Sequence, residues 1–167
     1  MTATARPHAL PRVRLVPITR DNWREAISLR VRADQESFVP SVAISLAKAL
    51  VRPDGPDDEH RPYAAVADGV MVGFGSLSAN FGVAEILWIG GFLIDARFQG
   101  RGFGRAALNA FVALARQEPS GRAVGLTVEP HNALAIRLYR SRGFEATGEM
   151  FDGELVHLLR LETVVAR

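Results

Sequence analysis

The stretch Leu93-Ile94-Asp95-Ala96-Arg97-Phe98-Gln99-Gly100-Arg101-Gly102-Phe103-Gly104-Arg105 passes from apolar residues through a glycine-bearing loop into a segment with helical periodicity. Successive free N–H groups that lead into a helix N-terminus form a cradle for an anion. Glycines let the backbone approach a phosphate closely, and Arg97, Arg101 and Arg105 add positive charge. The stretch therefore predicts a phosphate site, and a simple chain turn is the alternative interpretation of the same glycines.

Two familiar nucleotide-binding motifs do not match this loop. A Walker loop would end in Gly-Lys-Ser/Thr, and a dinucleotide fingerprint would read Gly-x-Gly-x-x-Gly. The order Gly100-x-Gly102-x-Gly104 fits neither pattern. The spacing alone thus indicates an anion without naming the molecule that carries it.

A second motif reads Glu129-Pro130-x-Asn132 and continues to Leu138-Tyr139 and Gly143-Phe144. Asn132 and Tyr139 are seven residues apart, so they share one face of a helix, two turns apart. A tyrosine in that position can donate a proton to a leaving group. The alternative is a tyrosine that packs in the core with a solvated hydroxyl group.

The hydrophobic pattern and the turn residues divide the chain into alternating elements. We predict a tail over residues 1–11 and one domain over residues 12–163. Predicted strands cover 13–18, 62–67, 70–78, 84–94, 123–128, 144–150 and 155–161, with a turn at 80–82. Predicted helices cover 19–33, 41–51, 103–117 and 130–142. This order predicts an α/β (α+β) fold, with a mixed sheet of about six to seven strands and helices on both faces.

Composition excludes several classes of protein. The chain has 167 residues, a net charge of +2 and no cysteine, and its four histidines show no ligand-like spacing, so we expect no metal site. Its arginines are spread out rather than gathered in a stripe, which argues against nucleic acid. We find no leader-like apolar segment near Met1 and no run long enough to span a membrane, and therefore expect a cytoplasmic protein.

Together, the Gln99–Gly104 loop and the Asn132–Phe144 motif resemble the GNAT superfamily of N-acetyltransferases over about Val13 to Leu161. The predicted order of elements is also that of the GNAT fold. The resemblance implies that acetyl-CoA is the cofactor and that a small-molecule amine is the acceptor. It further implies a homodimer, since relatives are often dimers.

A finer resemblance is to the bacterial spermine/spermidine (diamine) acetyltransferases. It rests on Asn22-Trp23, Gln35-x-x-Phe38-Val39, Ile94-Asp95-x-x-Phe98-Gln99-Gly100 and Thr147-Gly148-Glu149. Those enzymes often carry an arginine before the Leu-x-Ile-Asp part of the core strand, where this chain has Gly90-Gly91. A polyamine is thus the first expectation for the acceptor. The alternatives are a protein N-terminus, an aminoglycoside, another small amine, or a module that senses acetyl-CoA without turnover.

The resemblance also implies which residues contact the cofactor. The core strand should separate from its neighbour at a bulge, so that its backbone pairs with the pantetheine arm. The loop should bind the pyrophosphate, and Tyr139 should protonate the leaving thiolate. The expected cofactor residues are Phe92, Leu93, Ile94, Gln99, Gly100, Arg101, Gly102, Phe103, Gly104, Arg105, Asn132, Ala135 and Tyr139.

The acceptor amine must lose a proton, because an alkyl amine has a pKa of about 10.4. A carboxylate acting through water could accept it. We place Glu129 and Glu85 slightly ahead of Glu149 and Glu154 as this base, and a solvated surface charge is the alternative for each. The residues expected to bind the substrate are Trp23, Glu36, Phe38, Glu149 and Glu154, and the acidic run Asp54-Gly55-Pro56-Asp57-Asp58-Glu59 could roof a cationic acceptor.

Overall fold

The computed structural model describes residues 10–79 and 85–161. Its seven strands are β1 (Arg14–Pro17), β2 (Glu59–Ala67), β3 (Val70–Ala79), β4 (Ile86–Ile94), β5 (Ala123–Val128), β6 (Glu145–Phe151) and β7 (Glu154–Arg160). Its four α-helices are α1 (Trp23–Ala26), α2 (Val42–Val51), α3 (Phe103–Ala115) and α4 (Ala133–Ser141). Short 3-10 turns cover Ala33–Gln35 and Ala96–Phe98.

The strands of the described residues form one mixed sheet in the order β1-β2-β3-β4-β5-β7-β6. Neighbours are antiparallel except β4 and β5, which run parallel from Ile86 opposite Ala123 to Trp88 opposite Gly125. A parallel pair needs a crossover connection, and here the crossover is α3. The predicted mixed α/β sheet is therefore confirmed.

Alternating side chains on the strands contact helices on the two opposite faces. On one face, Leu77 and Leu126 pack with Phe111 of α3. On the other face, Phe74 and Leu93 pack with Ala26 and Val42 of the first two helices, among other residues. The predicted covering of the sheet on both faces follows from this alternation.

The predicted first helix is wrong in length. It ends at Ala26 instead of continuing to about Ala33, because the chain beyond it forms hydrogen bonds with a distant loop. The N–H of Arg30 donates to Asp95 Oδ2 at 3.0 Å, and the N–H of Ala96 donates to the carbonyl of Arg30 at 2.7 Å. The helical periodicity of the sequence continues beyond Ala26. However, these tertiary hydrogen bonds occupy the backbone N–H and C=O groups that a longer helix would pair internally.

Other boundaries differ by fewer residues. The helix predicted over 130–142 begins at Ala133, because the side chain of Asn132 accepts a hydrogen bond from the N–H of Ala135 at 3.2 Å and caps it. The helix predicted over 103–117 ends at Ala115. Strand β2 begins at Glu59 rather than residue 62, since Glu59 pairs with Ala79 of β3. The predicted turn at 80–82 lies outside the described residues.

Candidate active site

A cleft opens where strands β4 and β5 separate. Their parallel pairing stops at Trp88 and Gly125, after which β4 pairs only with β3 and β5 only with β7. A bulge lies at this point. Ser76 of β3 pairs with Gly90 and Phe74 pairs with Leu93, so two residues of β4, Gly91 and Phe92, lie opposite one residue of β3. Gly91 has φ of +58°, which a glycine adopts readily. Bulges bend a strand, so this one turns the end of β4 away from β5.

A cavity of about 450 Å³ occupies the cleft. Most of its lining comes from residues 89–94 of β4, the Gln99–Arg105 loop, the C-terminal end of β5 and one face of α4. Leu10 and Glu154 also line it. Residues from the segment 31–40 close it on a further side. The unpaired edge of β4 therefore borders a partly open cleft, and its free N–H and C=O groups are available to an elongated ligand.

One end of the cavity has the geometry of an anion cradle. Gly102, with φ of +84°, is the N-cap of the 13-residue helix α3, and Gly100 has φ of +73°. Both glycines line the cavity together with Gln99, Gly104 and Arg105. A Cβ atom built on Gly100 would meet no protein atom within 4 Å, so the backbone is open there. The helix N-terminus supplies partial positive charge, and the cradle thus fits a pyrophosphate.

The side chains of Arg101 and Phe103 do not line the cavity. The guanidinium of Arg101 lies over the rings of Phe98 and Phe103, at 5.9 and 5.4 Å. These two predicted cofactor residues are therefore outside the cavity lining, whereas Arg105 is part of it.

Two polar side chains hold the loop in place, the half-buried Gln99 and the buried Asp95. The Nε2 of Gln99 donates to the carbonyl of Ile94 at 2.9 Å and to Gln35 Oε1 at 2.8 Å. Asp95 accepts from the N–H of Arg30, and from both the N–H and the side chain of Arg97. Burial would raise the pKa of Asp95, but these hydrogen bonds and the Arg97 charge outweigh it and hold the pKa below its ordinary value.

Tyr139 lies on the cavity wall and is nearly fully buried, at 6% exposed. Its ring contacts Phe92 and Phe144, with centroids 6.5 and 6.1 Å away. Burial, followed by the negative charge of Glu154, raises the pKa of the Tyr139 hydroxyl. The hydroxyl therefore keeps its proton at neutral and mildly alkaline pH, as a proton donor must.

Asn132 and Ala135 line the cavity on the same face of α4 as Tyr139, as the seven-residue spacing predicts. Asn132 also caps the helix, so one side chain both starts α4 and borders the cavity. Among the predicted cofactor residues on β4, Phe92, Leu93 and Ile94 all line the same space.

Among the described residues, one carboxylate, Glu154, lines the cavity. It stands at the start of β7 and accepts a hydrogen bond from the hydroxyl of Thr127, which also lines the cavity. The register explains the contact, because Thr127 of β5 lies opposite Val156, two residues beyond Glu154. Glu154 is thus the acidic group that the fold brings to Tyr139 and to the free edge of β4.

The two carboxylates favoured from sequence lie elsewhere. Glu85 is exposed at the beginning of β4, about 16 Å along the strand from Gly90. Glu129 is outside the lining and binds His131, whose N–H and ring nitrogen lie 2.6 and 3.0 Å from its two oxygens. These hydrogen bonds from His131 lower the pKa of Glu129, which makes it a weaker base.

Comparison with known proteins identifies the family of the chain. The model of the acetyltransferase (GNAT) family matches residues 23–144, which include the cradle, the free edge of β4 and Tyr139. The chain belongs to the GNAT acetyltransferase family. The predicted enzyme class and the predicted acetyl-CoA donor are confirmed by this membership.

Relatives of this acetyltransferase act on different acceptors. It is 28% identical over 159 residues to spermine/spermidine N(1)-acetyltransferase of Bacillus subtilis, covering 89% of this chain and 99% of that protein. It is 27% identical over 145 residues to aminoglycoside N(6')-acetyltransferase type 1 of Klebsiella pneumoniae, covering 80% of this chain and 66% of that protein.

The same fold occurs in solved structures. One is the aminoglycoside acetyltransferase AAC(6')-Ib in complex with paromomycin and acetyl-CoA, with a TM-score of 0.74, 20% identity and coverage of 89% of this chain and 93% of that one. Another is the GNAT domain of S. lividans PAT, with a TM-score of 0.71, 20% identity and coverage of 92% and 95%. In the described part of this acetyltransferase, no helix is long and apolar enough to cross a membrane.

The predicted acceptor residues of the acetyltransferase divide into two groups. Phe38 and Glu154 line the cavity. Trp23, Glu36 and Glu149 do not: the ring of Trp23 is 38% exposed and lies 5.0 Å from the guanidinium carbon of Arg24, while Glu36 and Glu149 are exposed. Of the five predicted acceptor residues, one aromatic and one acidic residue therefore lie in the cavity lining, and their role stays a prediction.

Other lining residues were missed as site residues. Val31, Gln35, Val39 and Pro40 come from the segment between α1 and α2, and Thr127 comes from β5. Thr127 had a usable signal, since it is the polar residue in an otherwise apolar and glycine strand, Ala123-Val124-Gly125-Leu126-Thr127-Val128. In the 31–40 segment, the sequence indicated Phe38 but not its neighbours on the wall, because the position of the segment depends on tertiary bonds such as that between Gln35 and Gln99.

Proposed function

We propose that this acetyltransferase transfers an acetyl group from acetyl-CoA to a primary amine of an alkyl polyamine, such as spermidine or spermine. The observation that carries the proposal is the character of the acceptor wall. Glu154 offers negative charge there, while Val31, Phe38, Val39 and Pro40 offer mostly apolar surface. An aliphatic chain with an ammonium group matches both features.

The comparison with an aminoglycoside supports the same choice. A polyhydroxylated ligand would need many polar partners, since each buried hydroxyl left without one costs free energy. The wall formed by residues 31–40 supplies one polar side chain to the cavity, that of Gln35, which already accepts from Gln99. The relative that acts on spermine and spermidine also matches over nearly its whole length.

The chain holds the donor by its backbone. The cradle from Gln99 to Gly104 and the side chain of Arg105 would hold the pyrophosphate, and the free edge of β4 from Phe92 to Ile94 would pair with the pantetheine arm. Bound acetyl-CoA supplies an activated thioester. An N–H group of β4 donates to the thioester oxygen, which gains negative charge as the amine attacks.

Side chains of the cavity also accept and donate the protons of the reaction. Glu154 accepts a proton from the substrate ammonium, directly or through water, and the neutral nitrogen then forms the C–N bond as the C–S bond breaks. Tyr139 donates its proton to the sulfur. The second proton lost by the nitrogen replaces it, so one proton is released overall. No covalent acyl-enzyme is required, because holding both substrates together supplies a large part of the rate.

This assignment differs from the base favoured by sequence. Glu85 and Glu129, the bases predicted from sequence, lie outside the cavity lining, whereas Glu154 lies within it. We therefore assign the role to Glu154.

The test is a steady-state assay of thiol release from acetyl-CoA with a panel of amines. Spermidine and spermine should give kcat/KM at least tenfold above that for kanamycin, butylamine and a peptide with a free N-terminus. A higher kcat/KM for kanamycin would overturn the polyamine assignment. Calorimetric binding of acetyl-CoA without thiol release from any amine would instead favour the sensor alternative.

A homodimer and a cytoplasmic location are further predictions. Sedimentation velocity at micromolar concentration measures the first, with a single species of twice the 18.2 kDa chain mass expected. A sedimenting species of chain mass would exclude the dimer under those conditions. Fractionation of cells that express the chain measures the second.

A further inference from the structure

Three metal-ligating side chains converge outside the acetyl-transfer cavity, where the loop after α2 enters strand β2. Asp54, Asp58 and His60 each offer one oxygen or nitrogen atom, and these three atoms lie within 4.8 Å of one another. None of the three lines the cavity. We propose that they form a site for a divalent transition-metal ion, with Zn²⁺ as the representative ion.

Asp58 is the observation that points to a ligand. It is 3% exposed, and its Oδ2 lies 2.6 Å from His60 Nε2. Its other oxygen, Oδ1, is buried without a hydrogen-bond partner among the described residues. Burying a carboxylate oxygen without a partner destabilises the folded chain, and a cation bound by Asp58 would remove that penalty.

Among the described residues, no lysine or arginine neutralises this charge. Over residues 10–79 and 85–161, no lysine or arginine forms an ion pair with Asp54 or Asp58. Arg52 lies in the same loop, but its guanidinium donates to the carbonyl of Pro56 at 2.9 Å. The two carboxylates are thus balanced by His60 at most, and a divalent ion is the complement that they lack.

The donor set indicates the class of ion. One imidazole with two carboxylates is a three-ligand set of the kind that Zn²⁺ accepts, with water in the fourth position. Mg²⁺ and Ca²⁺ prefer oxygen ligands throughout. Two ligands about 2.1 Å from one ion lie at most about 4.2 Å apart. The side chain of Asp54 is exposed, so a change of rotamer would close the remaining gap.

The location gives the site a consequence for the enzyme. Asp54 follows α2, and His60 belongs to β2, so an ion would join the helix end to the sheet. The residues just before α2, Phe38 to Pro40, line the acceptor wall. A bound ion would therefore stabilise the part of the fold that carries this wall.

The experiment titrates ZnCl₂ into the tag-free, EDTA-treated and dialysed chain by calorimetry, with CoCl₂ absorption as a second measurement. We expect one ion per chain, d–d bands of low-coordinate Co²⁺, and at least tenfold weaker binding of MgCl₂. Asp54→Asn and His60→Gln should each weaken Zn²⁺ binding at least about 100-fold, because even outer residues of a metal site cost 10–100-fold. Asp57→Asn makes the same charge change on an exposed neighbour and should bind as the parent does.

Zn²⁺ should also raise the melting temperature of the parent chain and of Asp57→Asn, but not that of Asp54→Asn. Asp54 is exposed, so its variant keeps the test valid even if Asp58→Asn fails to fold. Absence of Zn²⁺ binding would overturn the proposal. So would unchanged binding in Asp54→Asn and His60→Gln, or loss of binding in His131→Gln, which would move the ion to the exposed Glu129–His131 pair.

Discussion

The donor and acceptor sides of the cavity are built in different ways. On the proposed donor side, the Gln99–Gly104 loop, the free edge of β4 and the start of α3 present mostly backbone groups, all within one continuous stretch. The acceptor side uses side chains from the 31–40 segment, from Thr127 and from Glu154. The first can be recognised in sequence because glycines must occupy fixed positions, whereas the second depends on how distant segments meet.

This difference in construction also separates specificity for the donor from specificity for the acceptor. A backbone cradle binds the same phosphate whatever side chains surround it, so it can serve many acetyltransferases of one family. A side-chain wall can change residue by residue without disturbing that cradle. Relatives of similar identity, 28% and 27%, are named for spermine/spermidine and for aminoglycoside acetylation.

Tyr139 lies where the two sides meet, and its removal should have the largest effect. Tyr139→Phe keeps the buried ring against Phe92 and Phe144 but removes the proton donor. We expect kcat to fall about 10²–10⁴-fold, with little change in the affinity for acetyl-CoA by calorimetry. Tyr63→Phe is the matched control, since the Tyr63 ring contacts Phe111 outside the cavity. Equal rates for the Tyr139 and Tyr63 variants would remove the acid role.

The raised pKa of Tyr139 also predicts how kcat depends on pH in the parent and in Tyr139→Phe. A group whose pKa is raised by burial stays protonated as the pH rises past the ordinary tyrosine value of about 10. The kcat of the parent at saturating amine should therefore show no loss from tyrosine ionisation up to pH 10. A drop in kcat at pH 9–10 that Tyr139→Phe abolishes would contradict this placement.

Glu154 tests the acceptor side by itself. Glu154→Gln keeps the size of the side chain and a partner for Thr127, but removes the charge and the proton acceptor. We expect kcat/KM for spermidine to fall about 10²-fold, while the KM for acetyl-CoA stays within about twofold. Glu129→Gln and Glu85→Gln serve as controls and should stay near the parent rate. If Glu129→Gln shows the larger loss instead, the base favoured from sequence is restored.

The features that could be predicted from the sequence are those set by local patterns, and the features that could not are those set by contacts between distant segments. The mixed sheet, the crossover helix and the Asn132–Tyr139 face followed from local patterns of polarity and from glycine positions. The length of α1 did not, because the Asp95 carboxylate takes the N–H of Arg30 across 65 residues of sequence. The preference for Glu154 did not follow from local patterns either, since its contact with Thr127 depends on the β5–β7 register.

The loop itself provides a smaller test, aimed at the donor side. Gly102 has φ of +84°, and a Cβ added there would come within 3.2 Å of Pro11 Cδ. Gly102→Ala should therefore shift the cradle and raise the KM for acetyl-CoA about tenfold, which corresponds to roughly 1.4 kcal/mol, with less effect on the KM for spermidine. Gly69→Ala is the control, because Gly69 has φ of +79° in a turn with no atom within 4 Å of the added Cβ. It should cost similar stability but leave both KM values unchanged.

The smallest expected effect concerns the anchor of the loop. The pKa of Asp95 is lowered in the folded chain, so its charge stabilises the fold above the unfolded value of about 3.9, and this contribution is lost as the pH falls through the folded pKa. Asp95→Asn should lower the free energy of unfolding by about 1–2 kcal/mol at pH 7, and the gap between parent and variant should narrow below pH 4.

Urea unfolding of both chains at pH 7, 5 and 3.5 measures that gap. Asp21→Asn is the matched control, because Asp21 pairs with Arg20 at 3.8 Å where both side chains are exposed, and such pairs contribute little. A gap that stays constant from pH 7 to 3.5 would mean that the amide of the variant, not the lost charge, disturbs the loop. The donor side would then depend on the shape of this anchor rather than on its charge.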